Sequence, residues 1–123
     1  MSALNTGGLT VLFAQEGGGG GGDNEPPGGP YYRGGSDLTP KPNEVRVDNT
    51  TGLLKTTHGV SLNKDAAKLE RFGGAYKVES LPEGLKIEQR GNDPMHYEIM
   101  PAVPMTFEKF GDLLKRVTLR RVG

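Results

Sequence analysis

The sequence predicts an α+β domain rich in antiparallel strands, with a small split β-sheet and about two helices. Three observations predict it. Short runs with β-branched or alternating apolar residues recur after residue 30, and turn residues separate them at hairpin length, as in Pro82-Glu83-Gly84 and Gly91-Asn92-Asp93-Pro94. Two other stretches carry apolar residues at helical spacing behind a capping residue. The chain has 123 residues, with many of its 20 glycines and nine prolines in the first third, so one domain is all it can build.

The division of the chain follows from that composition. The run Gly17 to Gly22, followed by Asp23-Asn24-Glu25-Pro26-Pro27-Gly28-Gly29-Pro30, has no apolar face to bury and loses much backbone entropy on ordering. Residues 1–29 are therefore expected to be a flexible leader, and residues 30–123 the folded domain. The apolar run Leu9 to Ala14 is too short for a membrane span and lacks the basic flank of a signal peptide. What folds is roughly 90 residues, which is marginal alone and well served by a partner.

The expected elements run in order. Pro30-Tyr31-Tyr32-Arg33 reads as a short strand ended by Gly34-Gly35. Glu44 to Asp48 reads as a second strand, turned by Asn49 to Gly52, and Thr57 to Leu62 as a third. Asn63 is the expected cap of a helix over Asp65 to Arg71, with Ala66, Leu69 and Phe72 on one side and Gly73-Gly74 as its stop. Strands follow at Ala75 to Ser80, Leu85 to Arg90 and Met95 to Met100. Thr106 caps a final helix carrying Phe107, Phe110, Leu113, Leu114 and Val117, and Lys115, Arg116, Arg120 and Arg121 read as cations at its negative end.

Charge and cysteine exclude whole classes of function. Lys+Arg and Asp+Glu are balanced at 15 each, so no net field steers the molecule to nucleic acid or membrane. There is no cysteine, hence no disulfide and no thiolate metal site, and His58 and His96 stand at no helical ligand spacing, so no metal is expected. The six-glycine run lacks the Lys-Ser/Thr of a phosphate loop, and no G-x-S-x-G motif occurs.

Strand alternation selects the polar candidates. His96 and Glu98 share one strand face, with Met95, Tyr97 and Ile99 on the other. Val60 and Leu62 mark a core face, which sends Thr57, Gly59 and Ser61 the opposite way, a small hydroxylated surface on which a ligand can lie close. Arg33, before a Gly-Gly turn, can fork onto a phosphate.

Four segments in this order, Tyr31-Tyr32-Arg33, Thr57-His58-Gly59-Val60-Ser61, Leu81-Pro82-Glu83-Gly84-Leu85-Lys86-Ile87 and His96-Tyr97-Glu98-Ile99-Met100-Pro101-Ala102-Val103-Pro104-Met105, resemble a family of small interbacterial toxins delivered by type VI secretion, including the C-terminal domains of Rhs-type effectors. The resemblance covers Tyr31 to about Val117 and is most specific in the last segment. It implies an ADP-ribosyltransferase-like fold that uses NAD as substrate in a cleft, a carrier or secretion apparatus, and a cognate immunity protein. The toxin would travel as secreted effector cargo, act in the target-cell cytoplasm and be a monomer when free. The arginine–serine–glutamate order of such transferases falls on Arg33, Ser61 and Glu98, with His96 where the family usually has an acidic residue or glutamine.

The chemistry then assigns roles. Breaking the nicotinamide–ribose bond builds positive charge on the ribose, which a fixed carboxylate stabilises. Catalysis is expected from Glu98, Ser61 and His96, the last orienting the acceptor. NAD binding is expected from Arg33 on the diphosphate, with Tyr32, Thr57, Gly59 and Ser61 lining the nicotinamide pocket. As a cleft residue, Glu98 should matter little to stability. The acceptor is an unidentified macromolecule, or water in an NAD glycohydrolase. Two other classes compete: a nuclease-type toxin using His58 or His96 as base with the basic tail on RNA, and a non-enzymatic module that blocks its target by surface contact.

Overall fold

The computed structural model describes residues 24–122. It is a small α+β domain of six antiparallel strands: β1 (Tyr32–Gly34), β2 (Val60–Asn63), β3 (Ala75–Ser80), β4 (Leu85–Gln89), β5 (His96–Pro101) and β6 (Thr118–Arg121). One α-helix, α1 (Phe107–Leu114), and a 3-10 helix, Ala66–Phe72, accompany them, with a single 3-10 turn at Pro42–Glu44. The expected leader, residues 1–29, lies outside the described residues up to residue 23. Its last part is built onto the domain: Leu81 donates its N–H to the Asn24 carbonyl at 2.8 Å, Lys77 meets Glu25 at 3.4 Å, and the Tyr31 hydroxyl reaches the Pro27 carbonyl at 3.0 Å. The packed body thus reaches back at least to Asn24.

The strands form one sheet in the order β4-β5-β2-β1-β3-β6. It is nearly two. β4, β5 and β2 pair over long registers, as do β1, β3 and β6, but β1 and β2 meet at one residue pair, Tyr32↔Asn63. The expected split is therefore a thin seam within a continuous sheet. β1 parts from β2 after that pair while its pairing with β3 runs on to Gly34↔Ala75, and Gly35 then turns the chain with φ +81°.

The core lies on the sheet face that holds Val60, Leu62, Val78 and Ile99, against which α1 places Phe110, Leu113 and Leu114. Thr106 caps α1 by accepting the Lys109 N–H at 3.0 Å, as the sequence leads one to expect. Phe110 is wholly buried, and removing its ring would cost about 3–5 kcal/mol. Tyr31 and Tyr97 meet in the same layer with ring centres 5.1 Å apart and planes tilted by 55°, under the Lys64 ammonium.

Three elements differ from expectation. Glu44 to Asp48 is not a strand; Pro42 starts a 3-10 turn, and only Val47 bridges Leu54. The Asp48 carboxylate instead takes the Thr50 N–H, closing the turn before Leu53. The helix after β2 is 3-10 rather than α, and its cap is Asp65, which accepts from Ala67, while Asn63 accepts from Asp65 one step earlier. None of its residues is buried, so no apolar stripe holds it in the α form, and Gly73 stops it at φ +96°. The basic tail is a helix end only at its start: Lys115 is the C-cap of α1, while Arg120 and Arg121 lie in β6. Val117 is buried and Leu119 packs on the core, so alternation carries the chain into β6 beside β3.

Candidate active site

The face opposite the core is decided by register. Ser61 stands across from Glu98, Asn63 across from His96, and Tyr32 across from Asn63, so Tyr32, Ser61, His96 and Glu98 share that face over three neighbouring strands.

Glu98 is the centre of this surface and it is buried, with 2% of its area exposed. Burying a carboxylate demands compensation, and four donors supply it. Oε1 accepts from the Gly59 N–H and from Arg90 Nε, each at 2.9 Å. Oε2 accepts from Arg90 Nη2 at 2.7 Å and from His96 Nε2 at 2.9 Å. A carboxylate offers about four lone-pair sites, so all are taken. Burial by itself would raise the Glu98 pKa; the hydrogen bonds from Arg90, His96 and Gly59 outweigh it and hold the carboxyl below its ordinary range. A ligand that bonds Glu98 must take the place of one of these donors, and Arg90, with its side chain 45% exposed, is the one nearest solvent.

Gly59 has a steric reason to be glycine. A Cβ there would overlap the Ile99 carbonyl oxygen and stand 2.6 Å from the carbonyl carbon. The strand backbones approach closely enough for the Gly59 N–H to reach Glu98. Thr57 lies in the turn before β2 rather than on the strand, and its Oγ1 pairs with His58 Nδ1 at 2.8 Å. Tyr32 is half-buried beside the seam.

Arg33 is placed differently. Alternation puts its Cα on the core-side face with Tyr31, across from Tyr76, and its guanidinium returns to the seam. There Nη1 donates to the Ser61 carbonyl at 2.9 Å and Nε to the Asp37 carbonyl at 3.0 Å. Burial lowers its pKa, and the charges of Glu44 and Asp37 oppose that. The structure thus brings Arg33 to the main chain of Ser61, and Ser61 across from Glu98, while the charge partner of Glu98 is Arg90.

Arg90 is the residue sequence reasoning missed. Its signal is in the hairpin: the five-residue connection Gly91 to Met95 sets Arg90 beside His96, and its N–H donates to the His96 carbonyl at 3.2 Å. His58 precedes Gly59, and its ring is held by Thr57. It stands in a cationic setting, where burial first and then the charges of Arg90 and Arg46 lower its pKa, with Glu98 opposing and Lys55 adding to the fall. Among the described residues no cluster of His, Asp and Glu is arranged to hold a metal ion, and no helix is long and apolar enough to cross a membrane. Comparisons of the chain with protein-family models, curated proteins and solved structures found no match.

Proposed function

We propose that this domain is an antibacterial effector toxin with an ADP-ribosyltransferase-like fold, which cleaves NAD and transfers ADP-ribose to a macromolecule. The observation that carries the reading is that Arg33, Ser61 and Glu98 stand on three adjacent strands in that chain order, with Arg33 bonded to the Ser61 carbonyl and Ser61 across from Glu98. In this reading Arg33 exchanges its carbonyl partners for the NAD diphosphate, using the fork geometry of a guanidinium. The bond between ribose C1′ and the nicotinamide nitrogen breaks with its electron pair leaving on nicotinamide, and ionised Glu98 stabilises the charge that develops on the ribose. An acceptor oxygen then bonds C1′ and gives its proton to the second ring nitrogen of His96, whose first is held by Glu98. Tyr32, Thr57, Gly59 and Ser61 would border the nicotinamide.

The protein would be carried as effector cargo by a secretion apparatus, act as a monomer in the target-cell cytoplasm, and be held inactive in its producer by an immunity protein that covers the seam. The test is nicotinamide release from NAD by the purified chain, with mass spectrometry of target-cell macromolecules for an ADP-ribose increment. Release without an increment identifies an NAD glycohydrolase. Neither product, with NAD intact, defeats the proposal. The nuclease reading has one observation in its favour, that Glu98 is bonded both by His96 and by the N–H of Gly59, the residue after His58, and strand breakage in RNA would select it.

A further inference from the structure

Glu98 is 2% exposed, and a carboxylate so enclosed needs one positive charge to match it. The Gly59 N–H is neutral, and His96 carries charge only when protonated, so among its donors the Arg90 guanidinium is the one whose charge is fixed. Arg90 meets the carboxylate side-on, Nε to Oε1 at 2.9 Å and Nη2 to Oε2 at 2.7 Å. The fork holds each oxygen once and so fixes the plane of the carboxylate.

The hairpin that carries Arg90 is tied by its own bonds. Gln89 Nε2 donates to the Gly91 and Asp93 carbonyls at 2.9 and 3.0 Å. The Asp93 carboxylate accepts the Met95 N–H at 2.9 Å, and the Asp93 carbonyl accepts the His96 N–H at 3.0 Å. Main-chain geometry thus sets Arg90 opposite His96, and both side chains converge on Glu98. The other groups around Glu98 leave that arrangement intact. Glu88 stands across from it on β4 but is matched by Lys86 at 3.0 Å; Ser61, across on β2, is neutral; and the His58 ring, before β2, is held by Thr57.

The state of His96 follows. Glu98, held below the ordinary carboxyl range, is ionised at neutral pH and has no proton to give, so His96 Nε2 must be the donor in their 2.9 Å bond. The guanidinium already matches the carboxylate, so nothing draws a second proton onto the ring. Without Arg90 the enclosed carboxylate would draw one, and imidazole is a stronger base than a carboxylate, so that proton would settle on Nδ1.

We infer that Arg90 is a positioning residue acting through Glu98: its charge leaves His96 neutral, with the Nε2 proton donated to Glu98 and Nδ1 open as a proton acceptor. That Nδ1 takes the proton of the acceptor rests on the transferase reading above; the state of the ring does not.

NMR of the ring nitrogens in the isotopically labelled full chain, without NAD, tests the inference. The chain has two histidines, and His58→Gln identifies the signals of His96. At neutral pH the parent should show Nε2 protonated and Nδ1 bare, and Arg90→Gln should show Nδ1 protonated at the same pH. Arg90→Lys, which keeps the charge and loses the fork, should return Nδ1 to the bare state. Arg90→Gln/Glu98→Gln, with no charge left to match, should return the ring to neutrality. Circular dichroism melting identifies the folded variants; should Arg90→Gln not fold, the parent and the double variant carry the test. A parent with Nδ1 protonated, a folded Arg90→Gln with Nδ1 bare, or a double variant with a charged ring would overturn the inference. Nicotinamide release from NAD by Arg90→Gln should fall about tenfold or more at neutral pH and recover as pH rises, with KM near the parent's. A loss that no pH restores would make Arg90 structural. A bare Nδ1 in a parent that leaves NAD intact would support the positioning role and defeat the transferase reading, whereas NAD turnover by a parent with Nδ1 protonated would do the reverse.

Discussion

Glu98 and Arg33 are both charged, both stand beside Ser61, and are held in opposite ways. Glu98 is enclosed, with four donors on two oxygens, one of them a main-chain N–H that exists only because Gly59 lets two strands close up. Arg33 ends on two carbonyl oxygens at the seam, contacts that a ligand can replace. One charge is part of the fold and the other rests on it. The expectation that Glu98 matters little to stability is corrected by this geometry: a buried carboxylate with every lone pair engaged cannot change without disturbing its donors. Loss of activity on altering Glu98 alone would therefore mix folding with chemistry, and Arg33 is the cleaner probe.

The contrast can be broken most severely at Gly59. Gly59→Ala sets a methyl against the β5 main chain, which cannot yield like a side chain, so the cost should exceed the ~1–3 kcal/mol of ordinary overpacking. Chemical denaturation should find the variant largely unfolded; a midpoint close to the parent's would mean the strands separate easily and the Glu98 enclosure is loose. Glu98→Gln should follow, losing about 1–3 kcal/mol in the same assay, because the amide offers one acceptor oxygen where Arg90, His96 and Gly59 need two. Its stability should be pH-dependent in the parent and less so in the variant. The folded-state pKa of Glu98 lies below its unfolded value, so the ion contributes stability above the unfolded pKa, and that contribution disappears as pH falls through the folded pKa. A parent and variant with parallel stability curves between neutral pH and acid would contradict this.

Arg33→Lys sharpens the comparison from the other side. Under the transferase reading, nicotinamide release should fall by roughly 10²–10³ while the melting temperature stays near the parent's, since an ammonium keeps the charge but loses the fork. A large drop in melting temperature would place Arg33 with Glu98 as part of the fold. The smallest effect is expected at Lys68, whose ammonium stands 3.9 Å from the Asp93 carboxylate with both side chains about half exposed. Lys68→Ala should change stability by less than about 0.5 kcal/mol, and a larger change would show that surface charge in this protein is worth more than its geometry suggests.

What was legible in the sequence was local or periodic. The β4–β5 hairpin, the Thr106 cap, the Gly73 stop and the alternation that puts Glu98 and His96 on one face and Tyr97 on the other depend on neighbours within a few residues, and the structure has them, whereas Pro82-Glu83-Gly84, also of hairpin length, joins two strands that do not pair. Where local signals were weak, longer contacts decided. The stretch from Glu44 to Asp48 had strand-like residues but found only a single bridge partner, and Arg120 and Arg121 fell in β6 because the free edge of β3 was there to pair with it. The same holds at the site. Alternation could choose Glu98, Ser61 and His96, but burial, the approach of Gly59 to Ile99 and the reach of Arg90 back to Glu98 join residues from three segments, 59, 90 and 98. The sequence by itself determined which face each strand residue would take, because a period of two is set by the backbone. Only the tertiary structure decided that Glu98 would be enclosed and Arg33 left at a seam, because the cost of burying a charge depends on donors that the fold alone brings within reach.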